Sequence, residues 1–221
     1  MTAQTAPNRR STTSAVSTRD VNHWEDEAAC REVGGDEFFV ESKKGMQQAR
    51  AVCVKCPVLV KCLRDRQAKD DKSYQWGVGG GLSAVQRRIL VMEELLGNRP
   101  DLDAARLLTS PQWMYRVRSL SSARWSLDGI VDGLREDGLE VTTVTVRVAV
   151  WWLGGEGSRM GRGRSWRRQL HDDHVGTVTE LRAKGARLSD IALYLGVPEV
   201  NGSRAISDLL LRVAAELEMA A

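Results

Sequence analysis

The sequence lacks the features that define secreted and membrane proteins. Its 221 residues include only four cysteines, which is too few to staple a chain of this length with disulfides. No apolar run approaches the ~20 residues that a membrane-spanning helix needs, and residues 1–20 lack the apolar core of a signal peptide. We therefore expect a cytoplasmic protein with no membrane partner, whose clustered cysteines bind a metal or do redox chemistry.

Catalytic motifs are also missing. No nucleophile and base can be paired among sequence neighbours, and neither glycine-rich stretch lies between a buried strand and a helix, as a nucleotide loop requires. The net charge of +3 and the 42% apolar residues suit a folded chain without defining its partners. We expect no enzymatic activity and no small-molecule substrate.

Helix signals recur along the chain and predict an all-α fold. A helix is predicted over 58–68 after Pro57, and another from Ser83 to a stop at Gly97. Ser126 opens a third apolar-periodic segment that ends at Gly138. Residues 141–153 are rich in β-branched side chains, so a strand remains an alternative there.

Shifts in composition divide the chain into five predicted parts. Small polar residues dominate the start, glycine and arginine dominate one internal stretch, and helix signals occupy the rest. The parts are a disordered N-terminus (1–20), a small helical cysteine domain (21–97), a helical segment with a possible first helix-turn-helix (98–153), a Gly/Arg-rich arm or linker (154–170), and a helix-turn-helix-like domain (171–221).

The cysteine spacing indicates a metal centre. One turn of chain brings the sulfurs of Cys53 and Cys56 together, whereas structural zinc sites usually use two such pairs. Four thiolates without a nearby histidine suit an iron–sulfur cluster, with Lys55 and Lys61 beside the ligands to offset its charge. Zinc, unligated or disulfide-bonded cysteines, and a thiol–disulfide oxidoreductase using Cys53 and Cys56 remain alternatives. The candidate ligands are Cys30, Cys53, Cys56 and Cys62.

The motifs around these cysteines form a recognisable set. Trp24 precedes Cys30, an acidic–aromatic run occupies 36–39, and the run Cys53-Val54-Lys55-Cys56-Pro57 is followed by a glycine turn at 77–83. Together they resemble the WhiB-like proteins, transcription regulators of actinobacteria and their phages, over residues 24–90. The resemblance implies a small helical domain around a [4Fe–4S] cluster held by all four cysteines. It also implies docking onto the principal sigma factor and a response to oxygen or nitric oxide.

Aromatic residues mark a candidate partner surface in the same region. Trp24, Phe38 and Phe39 are interpreted either as buried core or as exposed anchors for the sigma factor, because interface hot spots favour large aromatics. The family's turn usually carries a tryptophan where this chain has Gly79. Trp76, three residues earlier, is the candidate substitute.

The C-terminal region carries a helix-turn-helix pattern. Apolar residues around Ile191 pack the first helix, Gly196 makes the turn, and a second helix is predicted to begin near Asn201. We expect Asn201, Ser203 and Arg204 to face the DNA major groove, where the start of a recognition helix meets base edges. The segment from Ser126 to Arg147 echoes this pattern, and an ordinary helical hairpin is the alternative for both.

A glycine- and arginine-rich stretch precedes this region. Flexible glycines let arginines enter a narrow minor groove or follow phosphates, although a solvated linker has the same composition. The candidate DNA-contacting residues here are Arg162, Arg164, Arg167 and Arg168.

Overall fold

The computed structural model describes residues 23–39, 42–69, 76–123, 125–155, 166–197 and 202–219. These residues form ten α-helices, three short 3-10 helices and a two-stranded hairpin, which confirms the all-α prediction. None of the described helices combines the length and apolarity needed to cross a membrane. The expected disorder of residues 1–20 lies outside the described residues.

The first part of the fold surrounds the cysteines. Its 3-10 helices are Trp24–Glu27, Ala29–Glu32 and Gly35–Phe38, followed by α1 (Lys43–Lys55) and α2 (Leu59–Lys69). Strands β1 (Val78–Gly79) and β2 (Leu82–Ser83) then form an antiparallel hairpin that leads into α3 (Ala84–Leu95).

Side-chain caps explain where these helices begin. The Ser42 hydroxyl accepts a hydrogen bond from the backbone of Gly45, which starts α1. Ser83 and Gln86 form a reciprocal capping box at the start of α3, and Gly97, at φ +88°, follows its end. The predicted helices at 58–68 and after Ser83 are therefore confirmed.

Four helices make up the middle segment, which shares a hydrophobic core with this first part. They are α4 (Leu102–Leu108), α5 (Pro111–Ser122), α6 (Leu127–Glu136) and α7 (Thr143–Trp152). Ser126 caps α6 by accepting from Gly129, and one hydrophobic core runs from Phe38 to Trp152. That core crosses residue 97, so the cysteine region and the middle segment fold around shared apolar side chains.

The strand alternative at 141–153 is wrong. Thr142 accepts from the backbone of Thr145 and caps α7, whose β-branched side chains are buried on nearly all sides. The apolar residues of a fully buried element repeat with neither the helical nor the strand period. The β-branched residues were therefore the strongest remaining signal, and they favour a strand. The burial of α7 leaves it without a face for base edges, which favours a helical hairpin over a first helix-turn-helix.

The last three helices enclose a second core. They are α8 (Trp166–Ala183), α9 (Leu188–Tyr194) and α10 (Gly202–Met219). Ile191 and Leu195 pack against Ile206 and Leu209, as the helix-turn-helix pattern predicts. Met92 of α3 joins this core, while Leu90 of the same helix belongs to the first. Helix α3 is therefore common to both cores.

Candidate metal centre

The four cysteines come from three short elements that meet at one place. Cys30 lies in the second 3-10 helix, Cys53 in the last turn of α1, Cys56 directly after that helix, and Cys62 in the first turns of α2. All four are free thiols.

A cavity of about 300 Å³ lies between these elements. Cys30, Cys53 and Cys62 line it directly. Cys56 is buried beside them, close enough for its charge to act on Cys53 and Cys62. The sequence-predicted ligand set is therefore brought together around one space.

The described side chains around this cavity do not form a site for a single metal ion. Among the described residues, no three cysteine, histidine or carboxylate side chains are arranged to hold a single metal ion. A single zinc ion bound at about 2.3 Å would need its sulfurs about 3.8 Å apart. The cavity of about 300 Å³ has room for a group of several atoms.

Burial holds the thiols of Cys53 and Cys62 in their protonated form. Burial, with a smaller contribution from the neighbouring cysteines, raises the pKa of Cys53 from its ordinary 9.0 to about 12. Burial likewise raises the pKa of Cys62, which the positive charge of Arg66 partly counteracts. Thiolates at these positions need a positively charged ligand such as a metal to form at neutral pH.

Backbone amides point at three of the sulfurs. The N–H of Gly81 donates to Cys53, the N–H of Gly80 donates to Cys62, and the N–H of Ala29 donates to Cys56 over 3.5 Å. Gly80 has a φ of +56°, and a Cβ there would lie 2.4 Å from Cα of Leu63. Only glycine therefore brings this turn close enough to reach the sulfurs.

Arginines supply the positive charge around the cavity. Arg50 is 8% exposed and donates to the Gly81 carbonyl and to Gln86, and burial lowers its pKa. Arg87 is 1% exposed, lines the cavity and donates to the Leu82 carbonyl over 2.8 Å, while Arg66 lines the same cavity. The side chains of Lys55 and Lys61, expected to offset cluster charge, are exposed.

The four predicted partner residues differ in exposure. Phe38 is buried in the core and Trp24 is partly buried against it, so both have the structural role that the sequence left open. Phe39 is 58% exposed and Trp76 is 68% exposed, and both lie at the mouth of the cavity. Of the four residues, these two are therefore the ones accessible at the surface.

The predicted DNA-contacting residues lie far along the chain from this site. Ser203 and Arg204 are exposed in the first turn of α10. Arg167 and Arg168 fall within α8, so residues 166–170 are helical where an arm or linker was predicted. Arg162, Arg164 and Asn201 lie outside the described residues.

Sequence reasoning missed the residues that surround the sulfurs. The buried arginines carry no local signal, because their role arises from long-range packing of α1, the hairpin and α3. The Ser83-x-x-Gln86 capping box was available as a signal that fixes the hairpin against α3, and Gln86 also accepts from Arg50.

Comparison with known proteins covers the cysteine region. A family model described as transcription factor WhiB matches residues 24–90. The transcriptional regulator WhiB2 of Mycobacterium tuberculosis (strain ATCC 25618 / H37Rv) is 33% identical over 69 residues, which cover 31% of this chain and 74% of that protein.

Two further relatives match the same part. The transcriptional regulator WhiB4 of Mycobacterium tuberculosis (strain CDC 1551 / Oshkosh) is 37% identical over 70 residues, covering 32% of this chain and 56% of that protein. The transcriptional regulator WhiB1 of Bifidobacterium longum is 33% identical over 81 residues, covering 34% and 85%. No solved structure matches the chain.

Proposed function

The chain belongs to the WhiB family of transcription factors, and we propose that its four cysteines hold a [4Fe–4S] cluster. The observation that carries this proposal is that Cys30, Cys53 and Cys62 line one cavity of about 300 Å³, with Cys56 buried beside them. Such a cluster supplies a redox-active group that reacts with oxygen or nitric oxide. The chain's own residues bind it, shield it and set its charge environment.

The surroundings of the cysteines fit a negatively charged group. Four thiolates give a cluster a net negative charge, and buried Arg50 and Arg87 with Arg66 place positive charge around it. The amides of Gly80 and Gly81 supply N–H···S bonds, which stabilise thiolate ligands and adjust cluster potentials. Positive charge beside a cavity stabilises an anion bound there, so these arginines support an anionic occupant.

The alternatives fit less well. Structural zinc sites usually hold the metal with two close pairs of cysteines, whereas this chain has one such pair, Cys53 and Cys56. Redox-active Cys-x-x-Cys pairs lower a thiol pKa at a helix N-terminus, whereas Cys53 lies in the last turn of α1 and its pKa is raised to about 12. Burial and helix position therefore both oppose a thiol–disulfide oxidoreductase.

Anaerobic purification tests the cluster directly. We expect a brown protein that carries four irons and four sulfides per chain and loses its absorbance in air. A colourless protein that binds one zinc per chain under these conditions would contradict the proposal.

The exposed aromatics support a sigma-factor contact beside the cluster. Phe39 packs next to Gly77, where a Cβ would lie 3.3 Å from its ring, and neighbouring Trp76 is exposed. Gly79 is covered by the Arg66 side chain, so no aromatic stands at the position of the family's usual tryptophan. We propose that Phe39 and Trp76 together form the docking surface for the principal sigma factor.

Replacing these aromatics tests the docking surface. We expect Phe39→Ala and Trp76→Ala each to weaken binding of the cluster-loaded chain to the principal sigma factor by about 2 kcal/mol, because large aromatics dominate interface energies. Trp125→Ala is the matched control, since Trp125 is 50% exposed and does not line the cavity. Wild-type affinity in both test variants, with iron content unchanged, would contradict the assignment.

The C-terminal helices support a DNA contact. Helices α9 and α10 pack closely against each other, and the first turn of α10 exposes Ser203 and Arg204. Arg187, which precedes α9, is exposed on the same helix-turn-helix unit. We propose that α10 enters the major groove through its first turn, with Asn201 beside it. Arg162, Arg164, Arg167 and Arg168 are proposed to add phosphate or minor-groove contacts.

Arg204 is the residue with which to test base reading. We expect Arg204→Ala to cost about 1–3 kcal/mol on a site selected from random DNA, and to relax selectivity at one base pair. Arg212→Ala is the control, because Arg212 is exposed on α10 two turns further on. Fluorescence anisotropy over a salt series gives both affinities. Equal losses in the two variants would reduce Arg204 to a general phosphate contact.

A further inference from the structure

The glycine turn is bonded on both of its sides. Toward the cavity, the N–H of Gly81 donates to Cys53. Away from it, the indole Nε1–H of Trp152 donates to the Gly80 carbonyl over 2.9 Å. Trp152 ends α7, in the part of the chain that follows the family match at residues 24–90.

The two hydrogen bonds share one peptide group. The Gly80 carbonyl and the Gly81 N–H belong to the same planar amide, so a donor to its oxygen polarises its N–H toward the sulfur. The Trp152 ring also fixes the position of this amide, because a Cβ on Gly81 would lie 2.7 Å from Cδ1 of Trp152. The bond and the packing are both buried.

A second contact joins the same segment to another ligand. The guanidinium of Arg106, on α4, donates to the Pro57 carbonyl over 2.9 Å and to the Cys56 carbonyl over 3.2 Å. These carbonyls form the bend between α1 and α2 that carries Cys56. Helices α4 and α7 pack against each other, so the contacts of Arg106 and Trp152 come from one packed pair of helices.

We propose that Trp152 and Arg106 are positioning residues for the cluster, so that the helices after residue 97 complete the cluster site instead of merely following it. Trp152 holds the amide that bonds to Cys53, and Arg106 holds the bend that carries Cys56. The inference rests on the proposed [4Fe–4S] cluster. It adds two residues that hold the groups around the cysteine ligands in position. Such outer partners orient the ligands and adjust the metal group that they hold.

The test replaces Trp152 by phenylalanine in the full chain, which keeps an aromatic ring and removes the N–H. Trp151→Phe is the matched control, because Trp151 is the neighbouring tryptophan, is 4% exposed and packs in the same core. We expect both variants to assemble a cluster anaerobically. Trp152→Phe is expected to lose it in air about tenfold faster than wild type.

The reduction potential of the cluster is a second readout. Loss of the hydrogen bond changes this potential in a defined direction, whereas altered packing alone does not. An N–H···S bond stabilises the more negative, reduced cluster, so weakening it lowers the midpoint potential. We expect a more negative potential in Trp152→Phe and a wild-type potential in Trp151→Phe. In the cluster-free protein, the Gly81 amide should exchange its hydrogen faster in Trp152→Phe only.

The outcomes separate the two proposals. A wild-type chain without iron and sulfide overturns the cluster itself. A loaded Trp152→Phe with wild-type potential, cluster lifetime and amide exchange overturns the positioning role and leaves the cluster standing. If Trp152→Phe does not fold, Arg106→Met provides the test. For the inference to hold, the hydrogen-exchange rates of the backbone amides in the bend at Cys56 and the lifetime of the cluster in air must both differ from wild type in that variant.

Discussion

Cys53→Ala removes the cluster: iron and sulfide in the anaerobically purified chain are expected to fall to background. Cys53 is buried in the last turn of α1 and accepts the Gly81 N–H, so no other thiol can reach its position. The same loss is expected for Cys30→Ala, Cys56→Ala and Cys62→Ala, since each is a member of the proposed set of four ligands. Iron and sulfide assays with absorbance spectra measure the effect.

Val54→Ala serves as the control for this series. Val54 is the partly buried neighbour of Cys53 on α1 and packs against the first core without a metal-binding atom. It should retain a full complement of iron. A cysteine variant that also retains full iron would remove that residue from the ligand set.

Arg147→Met is expected to lower the free energy of unfolding by about 3 kcal/mol. Arg147, on α7, forms an ion pair with Glu93 of α3, whose side chain is only 6% exposed. Removing the cation leaves the buried carboxylate with Asn98, at 3.0 Å, and the Tyr194 hydroxyl as its neutral partners. Burial, with the charge of Glu93, also raises the pKa of Tyr194 to about 12, so Tyr194 stays protonated at neutral pH.

Chemical denaturation measures this effect against a surface control. Arg135→Met removes an arginine whose ion pairs with Asp132 and Glu140 are exposed, and it should leave the denaturation midpoint nearly unchanged. The double variant Glu93→Met/Arg147→Met should recover most of the lost stability, because the buried charge is then gone as well. A double variant no more stable than Arg147→Met would show that the pair is not the source of the loss.

The sequence predicted elements wherever a local signal marked their ends. Ser83 and Ser126 cap α3 and α6 as expected, and glycines with positive φ follow both helices. Helix α7 was left open between strand and helix because its apolar residues repeat at neither period. Its helical state is decided by Thr142 at the N-cap and by packing against α4 and α6.

The residues of the candidate site also separate into those with a local signal in the sequence and those without one. The cysteine spacing and the resemblance pointed to the proposed ligands, because three of the four cysteines, at positions 53, 56 and 62, lie close together in sequence. Phe38 and Trp24 could not be sorted into core or surface without the fold. The glycine turn is contacted by Arg50 and Trp152, which lie 31 and 72 residues away in sequence, and Arg87 is distinguished only by its burial. No periodicity or short motif records such contacts.

The place of α3 in both cores fixes how the two cores are arranged. Leu90 and Met92 are two residues apart, about 200° around the helix, so they face the cluster-side core and the C-terminal core from opposite sides of α3, and the Arg88–Asp190 ion pair ties this helix to α9. The shared helix therefore holds the two cores at a fixed spacing. On a promoter where both proposed contacts form, the bases read by α10 must lie at one set distance, and on one face of the duplex, from the bound sigma factor. Because DNA turns once in about 10 base pairs, a shift of half a turn would present those bases on the far side.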